Sequence, residues 1–451
     1  MIVKSLGHAC LFIQIGSSKI LMDPWLSDEI LGVCRRFPDP GPLSFRLPHP
    51  DIIILSHHHW DHVHIPSLQA FNKSTPIYIP ENDQLQNILS SMGFTNICLV
   101  KPWDQIAINS NSDFIATPSK VPFGEMGVCF IEQGHYLLNL VDSIFDSEIL
   151  RHLRKLLLEL NSDPFGVCLC PYQSYDEMSA LMRQSSPSRG ILSRQNAESV
   201  VELQCDLVIP FADGLYYPGN ALMNHLAFLN HPYDFIDEIK DVNPNQSCMI
   251  GLVLDEWHID NHQFKFSRSL PVDSAELLSL YDELRSIKNV SWEPIQDSEN
   301  DRLNFDVCRQ EWSTFVQQFE IGNIPSEVLS KFRSLGMKWH LIVLGGSSDQ
   351  KVFLEIDFHE MCIKLNPDNE DCNAYLKIGS DLLLKLLKSE ELLSIAMQSD
   401  RIEIGGRQSE LAYRSLDVLW YMGLDDKSRL QSYVSLQSNS KLSSKIAEIW
   451  V

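Results

Sequence analysis

The chain has 451 residues, 44% of them hydrophobic and 21% charged, which leaves room for two or three apolar cores. With 36 basic against 59 acidic side chains its formal charge is -23, so phosphate backbones and anionic membrane surfaces repel it and nucleic-acid partners are disfavoured. No charged start leads into an apolar leader, and no apolar run approaches the roughly 20 residues that span a bilayer. The 11 cysteines follow no framework spacing, which together with the missing leader points to a reduced, cytoplasmic protein with buried thiols.

The opening reads as a meander of short strands, MIVKSLG, ACLFIQIG and SKILMDPWL, rich in β-branched and aromatic residues and punctuated by glycine or serine. Residues 51–55 predict a fully apolar strand, and IPSLQAFNK a helix with Pro66 in its first turn. TPIYIP and TNICLVKP predict strands on either side of a capped helix, NDQLQNILSSMG. From 113 to 142 the segments DFIATP, GVCFIEQ and HYLLNLVD are strands again. Helices are expected over 146–160, 175–184 and 194–204, then the strand CDLVIPF. Cys168 and Cys170 lie in an apolar run and are expected in a core. Strand clusters followed by strands interleaved with helices predict two sheets between helical layers. The polar stretch SWEPIQDSENDRL, 291–303, reads as a connector. Beyond 335 an α+β pattern follows, with strands WHLIVLGG, VFLEIDF and AYLKIGS and a helix pair in SDLLLKLLKSEELLSIAM.

One turn carries the chemistry. In DIIILSHHHWDHVHIPSLQAF an apolar strand stops at a serine, and five histidines fall within eight positions, spaced His57-x-His59-x-Asp61-His62. Histidines at i and i+2 on a tight loop can face one metal ion, while Asp61 and His62 at the helix entry address a second position nearby. Imidazole and carboxylate suit zinc, iron or manganese. His58 and His64 fall outside that spacing and read as supporting or solvent groups. His8, which opens a strand near the expected site, faces substrate or makes a structural hydrogen bond. No cysteine is followed by histidine at the second or third position, so there is no local Rieske-type iron–sulfur pattern.

SHHHWDH together with LGHACLFIQIGSSKILMDPWL resembles the metallo-β-lactamase superfamily. That resemblance implies an αββα sandwich carrying a dinuclear site. His57 and His59 would hold one ion and Asp61 and His62 the other, with Asp142, ending HYLLNLVD, as the bridge. Asp61 and Asp142 would carry the catalytic roles, and Asp23 of MDPW would fix a ligating histidine. Hydrolases of the superfamily supply further histidines from two later loops. Here ATPSKVPFGEMGVCF has none, and DLVIPF runs into ADGLYYPGN without one, leaving Glu125 and Asp213 as replacements and His225 and His231 as downstream alternatives. A ligand set richer in carboxylate moves the preference toward iron or manganese.

Three segments, HVHIPSLQAFNKSTPIYIPEN, GEMGVCFIEQGHYLLNLVDS and VIPFADG with LNHPYDF, are similar to the CMP-N-acetylneuraminate hydroxylase family over residues 1 to about 240. Members of that family carry an N-terminal Rieske domain, whereas this chain starts at the sandwich, so neither the sugar-nucleotide substrate nor the electron path carries over. The last third faintly resembles sterol-carrier-type domains, which implies an apolar wall or a dimer surface and hence a homo-oligomer. The expected organisation is a metallo-β-lactamase-like metal-binding domain over 1–255, a helical connector over 256–330 and a smaller α+β domain over 331–451. The expected activity is a non-haem dinuclear iron oxygenase hydroxylating a small organic substrate with an external electron donor. The alternative is a zinc-type hydrolase of lactones, esters or phosphoesters, with Asp61 orienting the nucleophile.

Overall fold

A computed structural model describes residues 1–30, 33–41, 46–121, 124–161, 163–172, 180–183, 191–212, 214–218, 220, 223–225, 230–260, 263–285, 307–308, 310–311, 314, 324–345, 351–365, 372–397, 402–419, 434, 446 and 449–450. The expected helix over 175–184 falls largely outside these residues, and the connector over 291–303 and Asp213 lie wholly outside them. The chain divides into two compact units, one of 1–175, 189–286 and 437–451, the other of 176–188 and 287–436.

In the first unit the opening meander forms as expected: Ile2–Gly7, Cys10–Ile15 and Ser18–Met22 pair antiparallel. Ile52–Ile54, Ile77–Pro80 and Ile97–Val100 then add in parallel, each reached through a crossover carrying Ile65–Gln69 or Asp83–Ser91 where a helix intervenes. Asn82 caps the second helix by accepting from Leu85 N. Among the described residues this sheet has eight strands, closed on its other edge by Glu256–Asp260 and Gln263–Ser267. The expected boundary at 255 therefore falls inside the unit: Val3 pairs with Trp257, whose alternation with Ile259 buries two large side chains. The last described residues also return here, with Leu47 N donating to Ile449 O.

The second sheet runs, in order, Leu207–Phe211, Phe165–Pro171, His135–Asn139, Met126–Glu132, Ser112–Pro118 and Gln105–Asn109. Its central strands are largely apolar because both faces are covered. Val167 and Leu169 point at the first sheet's Ile13, Met22 and Ile54, forming the inner core. Cys168 and Cys170 point the other way, against Leu150, Leu153 and Leu157 of Ser147–Leu160 and Phe235 of Pro232–Val242. The two cysteines are thus core residues, and the described residues form no disulfide. The result is the αββα sandwich that the strand and helix pattern predicts.

The second unit holds a five-stranded sheet in the order Cys362–Leu365, Lys351–Asp357, Lys338–Leu344, Ala374–Gly379, Ile402–Gly406 among its described residues. Trp339, Leu341, Leu376 and Ile404 pack with Phe332, Leu383 and Val418 from helices Ser326–Ser334, Ser380–Leu387 and Ser409–Leu419. The helix pair expected at 380–397 is present as Ser380–Leu387 and Leu393–Ala396. Among the described residues no helix is long and apolar enough to cross a membrane.

Candidate metal centre

The strands of the sandwich end in strained turns, and the polar residues sit on those ends. His8, Asp23, Val141 and Ala212 all have positive φ, at 50°, 43°, 52° and 76°, and each follows or closely follows the end of a strand of one of the two sheets. Non-glycine residues in this region store backbone strain, and such residues cluster at functional sites. Here they turn the chain sharply so that side chains converge at one edge.

Asp23 is the hub. Its Oδ1 accepts from Ser56 N at 2.8 Å, and its Oδ2 accepts from Ser56 Oγ at 2.7 Å and from His62 Nδ1 at 3.0 Å. Having given its only proton to Asp23, Ser56 Oγ accepts from His57 Nδ1 at 2.9 Å. Both imidazoles are thereby held with Nδ1–H inward, and their Nε2 atoms face the edge. His57 Nε2 lies 2.9 Å from His59 Nδ1 and 3.9 Å from Asp142 Oδ2. His62 Nε2 lies 3.1 Å from Asp142 Oδ2 and 3.6 Å from Asp61 Oδ2. Donors bound to one ion at about 2.0–2.2 Å are about 3.0–3.6 Å apart, so this spacing fits a cation pair with Asp142 between the two positions. Two donor groups meet a metal-cluster geometry among the described residues, His57–His62–Asp142 and His8–Asp61–His62.

Charge agrees with that fit. Burial, reinforced by neighbouring imidazoles, holds His57 well below its usual pKa, and burial lowers His59 as well, leaving neutral rings suited to ligation. Burial opposes a proton on His62, but the carboxylates of Asp142 and Asp61 outweigh it and raise that histidine well above its usual value. Burial also works against ionisation of Asp61, yet His62 and the His8 hydrogen bond hold it below the ordinary carboxylate range.

Glu125 enters from the loop that lacks histidine. The peptides on both sides of it are anchored: Gly124 O accepts from Asn82 Nδ2 at 3.1 Å, and Met126 N donates to Ser56 O at 3.1 Å. Only glycine fits at 124, because a Cβ there would stand 2.2 Å from Glu81 O. Glu125 is 7% exposed, and its Oε1 has no hydrogen-bond partner among the described residues. Burial, with Asp142 nearby, pushes its carboxyl up to about 8. A buried carboxylate oxygen without a donor is a group that a cation would satisfy.

The other sequence candidates go elsewhere. His231 caps Pro232–Val242: its Nδ1 accepts from Tyr233 N at 3.2 Å while its own N donates to Asp234 at 3.1 Å, and its ring packs on Tyr281. It belongs to neither donor cluster. The sequence His-Pro-Tyr-Asp, with proline at the first helical position and a carboxylate two residues on, is itself a helix-start signal. His225 is half-buried in 223–225 and joins neither cluster, and Asp213 lies outside the described residues. His64 is a buried prop, 2.7 Å from Ser67 Oγ, and burial lowers it to about 3. His58 lies 3.1 Å from Asn82 Nδ2 and lines a polar cavity of about 450 Å³ with Glu81, Asn82, Asp83 and Gly124.

Sequence reasoning passed over Arg36. Its guanidinium is fully buried and donates to the carbonyls of Leu6, Trp25 and Ser27 while stacking on Trp25. It ties together the strand ends that present His8 and Asp23. Burial lowers it to about 10, so it stays charged. The motif Arg-Arg-Phe-Pro gives no local hint of this role.

Residues 2–128 match the family described as the beta-lactamase superfamily domain. The first unit of this chain carries that domain, and its sandwich and His-x-His-x-Asp-His turn are of the metallo-β-lactamase type. The cytidine monophosphate-N-acetylneuraminic acid hydroxylase of Mus musculus is 31% identical over 152 residues, covering 31% of this chain and 26% of that protein. The mitochondrial N-acyl-phosphatidylethanolamine-hydrolyzing phospholipase D of Saccharomyces cerevisiae is 30% identical over 122 residues, covering 25% of this chain and 26% of that protein. The matched region thus spans about a quarter of the length of these curated relatives. The solved diiron beta-hydroxylase CmlA of Streptomyces venezuelae aligns with a TM-score of 0.38 at 17% identity, over 59% of this chain and 54% of that one. The first of these curated relatives is named a hydroxylase and the second a hydrolysing phospholipase.

Proposed function

We propose that this protein is a non-haem dinuclear iron oxygenase that hydroxylates a small organic substrate. The observation that carries the reading is Glu125, a buried carboxylate anchored through both neighbouring peptides in a loop without histidine. With Asp61 and Asp142 it would make a donor set of three carboxylates and the imidazoles of His57, His59 and His62, and such a set would favour iron or manganese over zinc. His57, His59 and Glu125 would hold one ion and Asp61 and His62 the other, with Asp142 shared and Asp213 a further carboxylate for the second position.

When bound, the iron pair supplies the activation of O2. One oxygen atom enters a substrate C–H bond, the other leaves as water, and two electrons and two protons come from a separate reductant. The chain's part is positional. Asp142 would set the spacing of the two positions, and Ser56 and Asp23 keep His57 and His62 in the ligating tautomer. The cavity beside His58 borders the histidine turn. Glu81 and Asp83 on its wall favour a neutral or cationic molecule over an anionic sugar nucleotide. The mouse relative is named a hydroxylase and the yeast relative a hydrolysing enzyme, so similarity supports either chemistry on this fold, and the carboxylate count favours oxidation.

The test is elemental analysis of protein expressed with iron and zinc both supplied and purified without oxygen. About two irons per chain and an absorption change on exposure to O2 are expected. Two zincs and no response to O2 would overturn the oxygenase and point to hydrolysis of a lactone, ester or phosphoester.

A further inference from the structure

We infer that His8 is a ligand of the second metal position, which the Asp61–His62 pair leaves short of donors; this rests on the two-metal reading above. Its ring is carried on the turn after Ile2–Gly7, 57 − 8 = 49 residues before the histidine motif begins, so spacing along the chain does not associate it with that motif. In space it does belong there. His8 Nε2 lies 3.1 Å from Asp61 Oδ2, the same oxygen that stands 3.6 Å from His62 Nε2. Three donor atoms from three residues therefore converge on one point, all within 4.8 Å of one another. A histidine that only steadied Asp61 would be expected on the carboxylate oxygen turned away from the site.

The fold holds His8 there firmly. It is 6% exposed and sits in the left-handed region at φ 50°. Gly7, at φ 93°, precedes it because a Cβ would stand 2.5 Å from Arg36 Cδ, and the edge of Trp25 closes the far side with ring centroids 6.1 Å apart. Across the site, the loop after Leu207–Phe211 passes with Gly214 against the His8 backbone, where a Cβ would come to 3.3 Å of His8 N. Gly214 thus brings only backbone beside His8, which leaves the imidazole from the first hairpin room at this point. The second position then has His8, Asp61, His62 and the shared Asp142.

The metal-free protein is titrated with Co(II), and exchangeable imidazole N–H resonances shifted by the bound ion are counted. Wild type is expected to take up two ions and to show four such resonances, from His8, His57, His59 and His62. His8→Gln, which keeps a hydrogen-bond donor beside Asp61, should lose one resonance and bind the second ion more than about 100-fold more weakly, whereas His231→Gln should keep four. Three resonances in wild type, or an unchanged count in His8→Gln, overturns the assignment even where the variant folds poorly, because the first result needs no variant. Uptake of fewer than two ions by wild type would instead defeat the two-metal reading itself.

Discussion

Two buried glutamates, one in each unit, show what the site is built for. Glu355 is met by the protein: His340, its cross-strand neighbour, stands 2.9 Å away and Lys364 3.4 Å away. Burial opposes its charge, but these partners win and its carboxyl is held below the ordinary value of 4.5. Glu125 is also buried, yet its Oε1 has no hydrogen-bond partner among the described residues, Asp142 adds repulsion, and its carboxyl rises to about 8. A core polar group is normally satisfied from within; one left with an open oxygen is satisfied by something added. The same contrast separates the whole regions. The second unit's buried pair lies in mid-strand, in register, whereas the first unit's polar groups ride on strained strand ends that no ladder could pair.

The largest effect should come from removing the group between the two ion positions. Asp142→Ala is expected to weaken metal binding by more than about 100-fold and to abolish the O2-dependent absorption change, read by equilibrium dialysis and spectroscopy. Leu341→Ala in the second unit sharpens the contrast from the other side. It should cost about 2–5 kcal/mol by urea unfolding, as core truncations do, while metal content in the folded protein stays at the wild-type value. Asp23→Ala touches no ion, yet it releases Ser56 and the tautomers of His57 and His62. Metal affinity should fall about 10–100-fold, with about 1–3 kcal/mol of stability lost from the orphaned donors.

The smallest effects are the pH slopes, and they should run in opposite directions. In metal-free protein the folded state keeps the Glu125 proton up to about 8 while the unfolded chain releases it near 4.5, so this group makes stability fall as pH rises across that window. Glu125→Gln should flatten that slope in a series of urea midpoints. Glu355 contributes stability that is fully present above 4.5 and is lost as pH falls below it, so Glu355→Gln should remove sensitivity on the acid side only. Parallel slopes for the two variants would erase the distinction between a paired and an open carboxylate.

The sequence by itself determined the elements and the chemistry of one turn. Apolar runs such as Ile52–Ile54 and Phe165–Pro171, alternation in the opening strands, and the cap at Asn82 are local signals, because each depends on a few residues and on the period of its own backbone. The spacing of His57, His59, Asp61 and His62 is local too, and it was enough to expect metal. The edge strands Glu256–Asp260 and Gln263–Ser267 were missed because their mostly polar composition resembles a connector until Trp257 and Ile259 find the sheet. His231 was read as a ligand, although its own neighbours, Pro232 and Asp234, already marked it as a cap. Only the tertiary structure could decide that Asn82 and Ser56 anchor the chain around Glu125, that Arg36 gathers carbonyls beneath His8, and that His8 and His62 share one oxygen of Asp61. These contacts join residues tens of positions apart, and packing two sheets face to face sets which strand ends meet; no spacing along the chain encodes that meeting.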